Sequence, residues 1–156
     1  MALNIEKMRK LKEWILAEPR RYYQEDWIVF IEDQEWGEQT PPCGTAACLA
    51  GSACLMEGWK PIKDDSHFNN TAYVQKPGEE PRPVKQVAME ILGLEYSNRY
   101  DNIVDLFSGR AIGWSDENQE AYNQATTPLG RALAAANEID RLIQKELDRL
   151  AASVVE

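Results

Sequence analysis

The chain of 156 residues holds a single histidine, His67, and three cysteines, Cys43, Cys48 and Cys54. An odd count of thiols argues against a disulfide framework and for free cysteines in a reducing compartment. No apolar run reaches the roughly 18 residues that suggest a membrane span. The amino-terminal stretch is charged and amphipathic and lacks the apolar segment of a secretory signal, so a cytoplasmic location is the expectation. A glycine-rich phosphate loop, a paired-histidine metal helix and a serine elbow are all missing. No cofactor is therefore expected, and the lack of any internal repeat excludes solenoids.

Basic residues are missing from one long stretch altogether. Residues 22–57 carry seven acids, Glu25, Asp26, Glu32, Asp33, Glu35, Glu38 and Glu57, and no Lys or Arg. Residues 1–21 hold six bases, Lys7, Arg9, Lys10, Lys12, Arg20 and Arg21, against Glu6, Glu13 and Glu18, so the two segments complement each other. Over the whole chain, 17 Lys and Arg against 26 Asp and Glu leave a formal charge of −9. Such a charge repels phosphate backbones and anionic lipid, which excludes nucleic acid and membrane surfaces as partners. Glu25, Asp26, Glu32, Asp33, Glu35 and Glu38 are the candidate binding residues, as an acidic surface aimed at a basic protein partner.

What is present describes an ordinary globular chain: 44% hydrophobic residues, 28% charged, five Trp and six Tyr, which rules out intrinsic disorder and disulfide-dense scaffolds. Area scaling lets a chain of this size bury about two-thirds of its surface without metals or disulfides. The expected fold is all-α, a single helical domain over 1–156, built as an irregular bundle around a central helix of small residues.

Asn4 caps a first helix whose apolar positions Ile5, Met8, Leu11, Ile15 and Leu16 recur at helical spacing until Pro19. Trp27 to Ile31 is a short apolar run that periodicity leaves open between helix and strand, with helix preferred. Glu32 to Pro42 reads as an exposed loop. Thr45 is expected to cap a helix over Ala46 to Glu57, closed by Gly58. Ala46, Ala47, Ala50, Gly51, Ser52 and Ala53 make that helix small on nearly every side, so neighbours can approach it closely and it belongs at the centre. Residues 58–83, with Pro61, Pro77, Pro81 and Pro83, read as a long loop in which Ala72-Tyr73-Val74 is a candidate short strand. Pro83 suits the start of a helix through Val84, Val87, Ala88, Ile91 and Leu92, stopped by Gly93. Ile103, Val104, Leu106 and Phe107 suggest a short helix ending at Gly109, and Ser115 caps another through Tyr122. Thr127 and Pro128 open the last helix. Its Leu129, Ala132, Leu133, Ala136, Ile139, Ile143, Leu147 and Leu150 span an arc of about 120°, the width of a core face. Asp140 falls within that arc and needs an ion-pair partner or a polar contact.

The stretch Cys43-Gly44-Thr45-Ala46-Ala47-Cys48-Leu49-Ala50-Gly51 places a cysteine just ahead of an expected helix N-terminus, a position that lowers a thiol pKa. With Gln39, the Cys43-Gly44 pair and Cys48 resemble the nucleophile region of ubiquitin-like-protein peptidases, which would make Cys43 a nucleophile. Those enzymes take their base from a His upstream, and no His precedes Cys43. His67, the one candidate base, lies downstream in the 58–83 loop. A metal set of Cys43, Cys48, Cys54 and His67 fails on spacing. Four and five residues intervene between successive cysteines, and Cys48 and Cys54 would lie about 240° apart around one helix. No residue is therefore assigned a catalytic or metal-binding role, and the cysteines are expected to be core thiols.

Glu18-Pro19, Tyr22, Trp27, Cys43-Gly44-Thr45, Cys48, Ala50-Gly51, Ala88, Leu92-Gly93-Leu94, Leu106-Phe107 and Trp114 resemble, in their order, a group of small uncharacterised proteins of bacteria and their phages. Ser52 departs from that pattern, where a larger His or Trp is expected. The resemblance implies no activity, and it admits a small acidic inhibitor of a host-defence nuclease that mimics nucleic-acid charge. The functional expectation is a non-enzymatic protein-interaction or inhibitor module. The alternatives are a hydrolase using Cys43 and a small-ligand-sequestering protein that binds beneath the 58–83 loop.

Overall fold

The computed structural model describes residues 3–32, 34–63, 70–95 and 105–155. In chain order the elements are α1 (Ile5–Ala17), β1 (Ile28–Phe30), β2 (Thr45–Ala47), α2 (Leu49–Met56), β3 (Lys60–Pro61), β4 (Asn70–Thr71), β5 (Tyr73–Gln75), β6 (Arg82–Pro83), α3 (Val84–Leu92), α4 (Asp116–Gln124) and α5 (Pro128–Val155). Three-residue 3-10 turns occur at Pro19–Arg21, Gly37–Gln39, Asp105–Phe107 and Gly109–Ala111.

The all-α expectation is wrong: among the described residues the fold is mixed, with five α-helices and two three-stranded antiparallel sheets. The run Trp27 to Ile31, read as helix, contains β1, which pairs with β2 on one side and β4 on the other. Ile28 stands opposite Ala47 and Phe30 opposite Thr45. Thr45 is thus a strand residue and no helix cap. Ala46 and Ala47 are strong helix formers held extended by their partner strand, a case of tertiary pairing overriding propensity. The segment 58–83, read as a long loop with a candidate strand at Ala72-Tyr73-Val74, supplies four strands; β5 overlaps that candidate, the other three were not expected, and β3, β5 and β6 form the second sheet in that order. Its two edges, β3 and β6, each hold a proline, Pro61 and Pro83, whose missing N–H blunts pairing with another chain.

Where the local signals were caps and periodic faces, the helices follow them. The Asn4 side chain accepts from the Lys7 amide at 3.0 Å, and Met8, Leu11 and Ile15 are fully buried. Gly93 closes α3 with a left-handed φ of 70°, and the Ser115 hydroxyl accepts from the Asn118 amide at 3.3 Å to cap α4. The stretch read as a helix around Ile103 and Val104 lies mostly outside the described residues, which resume at the 3-10 turn Asp105–Phe107.

α2 is the centre of the molecule. It begins at Leu49 behind Cys48, and Leu49 through Cys54 are all buried, packed against α1, α3 and β2. α5 packs along α1 and α4. Ala132, Ala136, Ile139 and Ile143 of its expected core face are buried, whereas Leu129, Leu133, Leu147 and Leu150 are exposed. Leu147 and Leu150 lie beyond the last buried position, Ile143, whereas Leu133 stands out among the buried Ala132, Ala134, Ala135 and Ala136, so the buried face is turned from the expected stripe towards Ala134 and Ala135. Asp140 is exposed and forms an ion pair with Lys12 at 2.8 Å, which answers its need for a partner. The buried acid is instead Glu138, which accepts from the Ser115 amide at 3.1 Å, from Asn118 Nδ2 at 3.0 Å and from the forked Arg141 guanidinium. Burial pushes its carboxyl up, but the donors from Arg141, Asn118 and Ser115 together hold it below the ordinary carboxylate range and tie α4 to α5. No helix among the described residues is long and apolar enough to cross a membrane.

Candidate functional site

The three cysteines part company in the structure. Cys43 is exposed, contrary to the expectation of a core thiol, because β2 intervenes between it and α2. It therefore stands at no helix N-terminus. Its thiol donates to the Thr45 carbonyl oxygen at 3.2 Å and lies 3.4 Å from the Thr45 hydroxyl. Cys48 is the residue that heads α2. Desolvation dominates there and lifts its thiol to about 11, although the Gly51 and Ala50 amides pull the other way. Cys54, donating to the Val84 carbonyl oxygen at 3.6 Å, is pushed by burial to about 12. His67, the candidate base and fourth metal ligand, lies outside the described residues. Among those described, no group of three His, Cys, Asp or Glu is placed to hold a metal ion.

These environments predict the labelling pattern. A maleimide at neutral pH should modify Cys43 in the native protein and leave Cys48 and Cys54 slower by about 100-fold or more until the chain unfolds, since thiolate is the reacting form. Rapid native labelling at two or three sites, read by peptide mass spectrometry, would contradict the buried positions of α2.

The acidic segment lies largely at the surface. Glu25, Glu32, Glu35 and Glu38 are exposed and Asp26 is half-buried, while Asp33 lies outside the described residues. Two of these acids serve the fold. Glu25 Oε1 accepts from the Arg110 amide at 3.2 Å with the Arg110 guanidinium 4.0 Å away, and Asp26 Oδ1 accepts from Asn70 Nδ2 at 3.4 Å. Glu35 folds back to accept the Glu32 amide at 3.0 Å. Glu32, Glu35 and Glu38 have no cationic partner among the described residues. Among the described residues, the complementarity to α1 is realised through Glu57, which binds Lys7 at 2.8 Å and Lys10 at 3.1 Å.

An aromatic pair and an arginine stand among these acids, and sequence reasoning did not single them out. Tyr23 and Trp36 pack with ring centroids 5.1 Å apart, tilted by 60°, closing the loop that carries Glu32, Glu35 and Glu38. The Trp36 amide donates to the Thr40 hydroxyl at 3.0 Å, and Arg131 Nη2 from α5 donates to Gln39 Oε1 at 3.4 Å. The available signal was a tryptophan inside a polar loop bounded by Gly37 and Pro41-Pro42. Tyr, Trp and Arg are the residue types that carry most of the energy in protein interfaces. Compared with protein-family models, with curated proteins and with solved structures, the chain matches none.

Proposed function

We propose that this protein is a non-enzymatic interaction module that docks a basic protein surface through the face formed by Glu25, Glu32, Glu35 and Glu38 around Tyr23 and Trp36. The observation that carries the reading is the placement of Glu32, Glu35 and Glu38. They are exposed, they have no cationic partner among the described residues, and they share one loop with Trp36, whose ring packs on Tyr23. An acidic cluster without a cationic partner costs some self-repulsion in the free protein, whereas across an interface it steers a basic partner and sets the register. The aromatic pair supplies rigid area that water leaves on contact. A nuclease's phosphate-binding groove is one basic surface of this kind, and covering it would make the module an inhibitor.

The test is a bait comparison from the protein's own host. Proteins retained by the wild-type chain at about 50 mM salt should be released at about 500 mM, where exposed charges are screened. They should also be lost from a Glu32→Lys, Glu35→Lys, Glu38→Lys triple variant that melts at the wild-type temperature. Retention that is indifferent to both salt and charge reversal would remove the proposal.

A further inference from the structure

The acidic face has a neighbour that its charges do not explain. Glu25 reaches the turn Gly109–Ala111 through the Arg110 amide, and the residue after that turn, Ile112, is 60% exposed, more than any other large apolar side chain among the described residues outside the end of α5. The backbone that presents it is unusual. Arg110 and Ala111 have φ of 57° and 60°, two consecutive non-glycine residues in the left-handed region, and Gly113 follows at 96°. Nor is the turn loose: Gln24 Nε2 donates to the carbonyl oxygens of Leu106 and Ser108 at 3.0 and 2.9 Å, Trp114 Nε1 donates to Leu106 at 3.3 Å, and Ala111 and Trp114 are buried on either side of Ile112. The fold thus holds a strained turn in place and spends it on aiming one isoleucine outward.

We infer that Ile112 is the apolar anchor of the acidic docking face, and that the partner offers an apolar socket rimmed by Lys or Arg. This rests on the reading of the acidic face above and adds the contact on which its affinity centres. Charge complementarity selects the occupant: Glu25 holds the Arg110 amide two residues before the anchor, the exposed acids Asp116 and Glu117 follow it by four and five residues, and the one base in the turn, Arg110, is set beside Glu25. A side chain already fixed in space loses little freedom on burial, so a rigid anchor gives more affinity per contact than one on a free loop. Acids around an apolar centre match the ring of polar contacts that shields interface hot spots from water.

The probe is a phage-displayed library of random peptides selected on the full-length chain. Enriched peptides should combine Lys or Arg with large apolar residues. Synthetic copies should bind Ile112→Asp more weakly by about tenfold or more and bind a control, Leu147→Asp on α5, as well as wild type. Ile112 is exposed, so its variants should melt with the wild type, and matched melting curves make the comparison fair. If peptides bind the Ile112→Asp chain undiminished but lose the Glu32, Glu35, Glu38 triple-lysine variant, the anchor is refuted while the acidic face stands. Enrichment of peptides without basic residues, or binding unchanged by either variant, refutes both.

Discussion

Replacing Gly51 by Ala is expected to destabilise the protein by about 3 kcal/mol or more, lowering its melting temperature by roughly 10 °C. A Cβ at this position would stand 2.0 Å from the Trp27 carbonyl oxygen, 2.7 Å from the Ala47 Cβ and 2.8 Å from the Ile28 Cγ1. The first of these is backbone, so no side-chain rotation relieves it. Relief requires α2 to retreat from β1, and that separation would open the sheet pairing of Ile28 with Ala47. Alanine recovers about 1 kcal/mol of helix propensity, too little to reverse the sign. Thermal and denaturant melts of Gly51→Ala decide it, and a variant as stable as wild type would mean that α2 does not lie against the β1 backbone.

The need for close approach at Gly51 was legible in the sequence, since a glycine inside a run of small residues has few other uses. The identity of the neighbour was not. A strand of three residues such as Ile28–Phe30, inside the uninterrupted apolar run Trp27 to Ile31, shows no alternation, and its partners lie about 17 and 43 residues further along the chain, beyond any local window. The two-residue strands at Lys60–Pro61, Asn70–Thr71 and Arg82–Pro83 are shorter still, and the prolines of the first and third argue for loop. Caps, by contrast, act within one turn, which is why Asn4, Gly93 and Ser115 were readable. The candidate site divides in the same way. Its charge could be counted along the chain, but the tilted packing of Tyr23 against Trp36 and the approach of Arg110 to Glu25 exist only after the chain has turned back on itself. The thiols illustrate the reverse hazard: the strand β2 moves the helix terminus from the expected Thr45 to Cys48 and leaves Cys43, expected in the core, exposed.

Removal of Gln24, a polar residue between two apolar segments, should rival that of Gly51. Its side chain is buried and fully engaged: Oε1 accepts from the Tyr22 hydroxyl at 2.9 Å and the Leu49 amide at 3.3 Å, and Nε2 donates to Leu106 and Ser108. Four backbone or side-chain groups from three parts of the chain meet on one amide. Gln24→Ala leaves the Tyr22 hydroxyl and the Leu49 amide without that partner, while Leu106 keeps Trp114 and Ser108 keeps the Ala111 amide. At about 1–3 kcal/mol for each of the two orphaned buried groups, the expected loss is about 2–5 kcal/mol. Adding Tyr22→Phe removes one orphan donor, so the double variant should be less destabilised than the sum of the two single changes, by about 1 kcal/mol. Hydrogen exchange should also quicken at the Ala111 and Ile112 amides, whose bonds to Ser108 and Gly109 are already long at 3.3 Å and depend on the pinned carbonyls. Additive single effects, or a Gln24→Ala chain within about 1 kcal/mol of wild type, would show that the amide fills space without holding the turn.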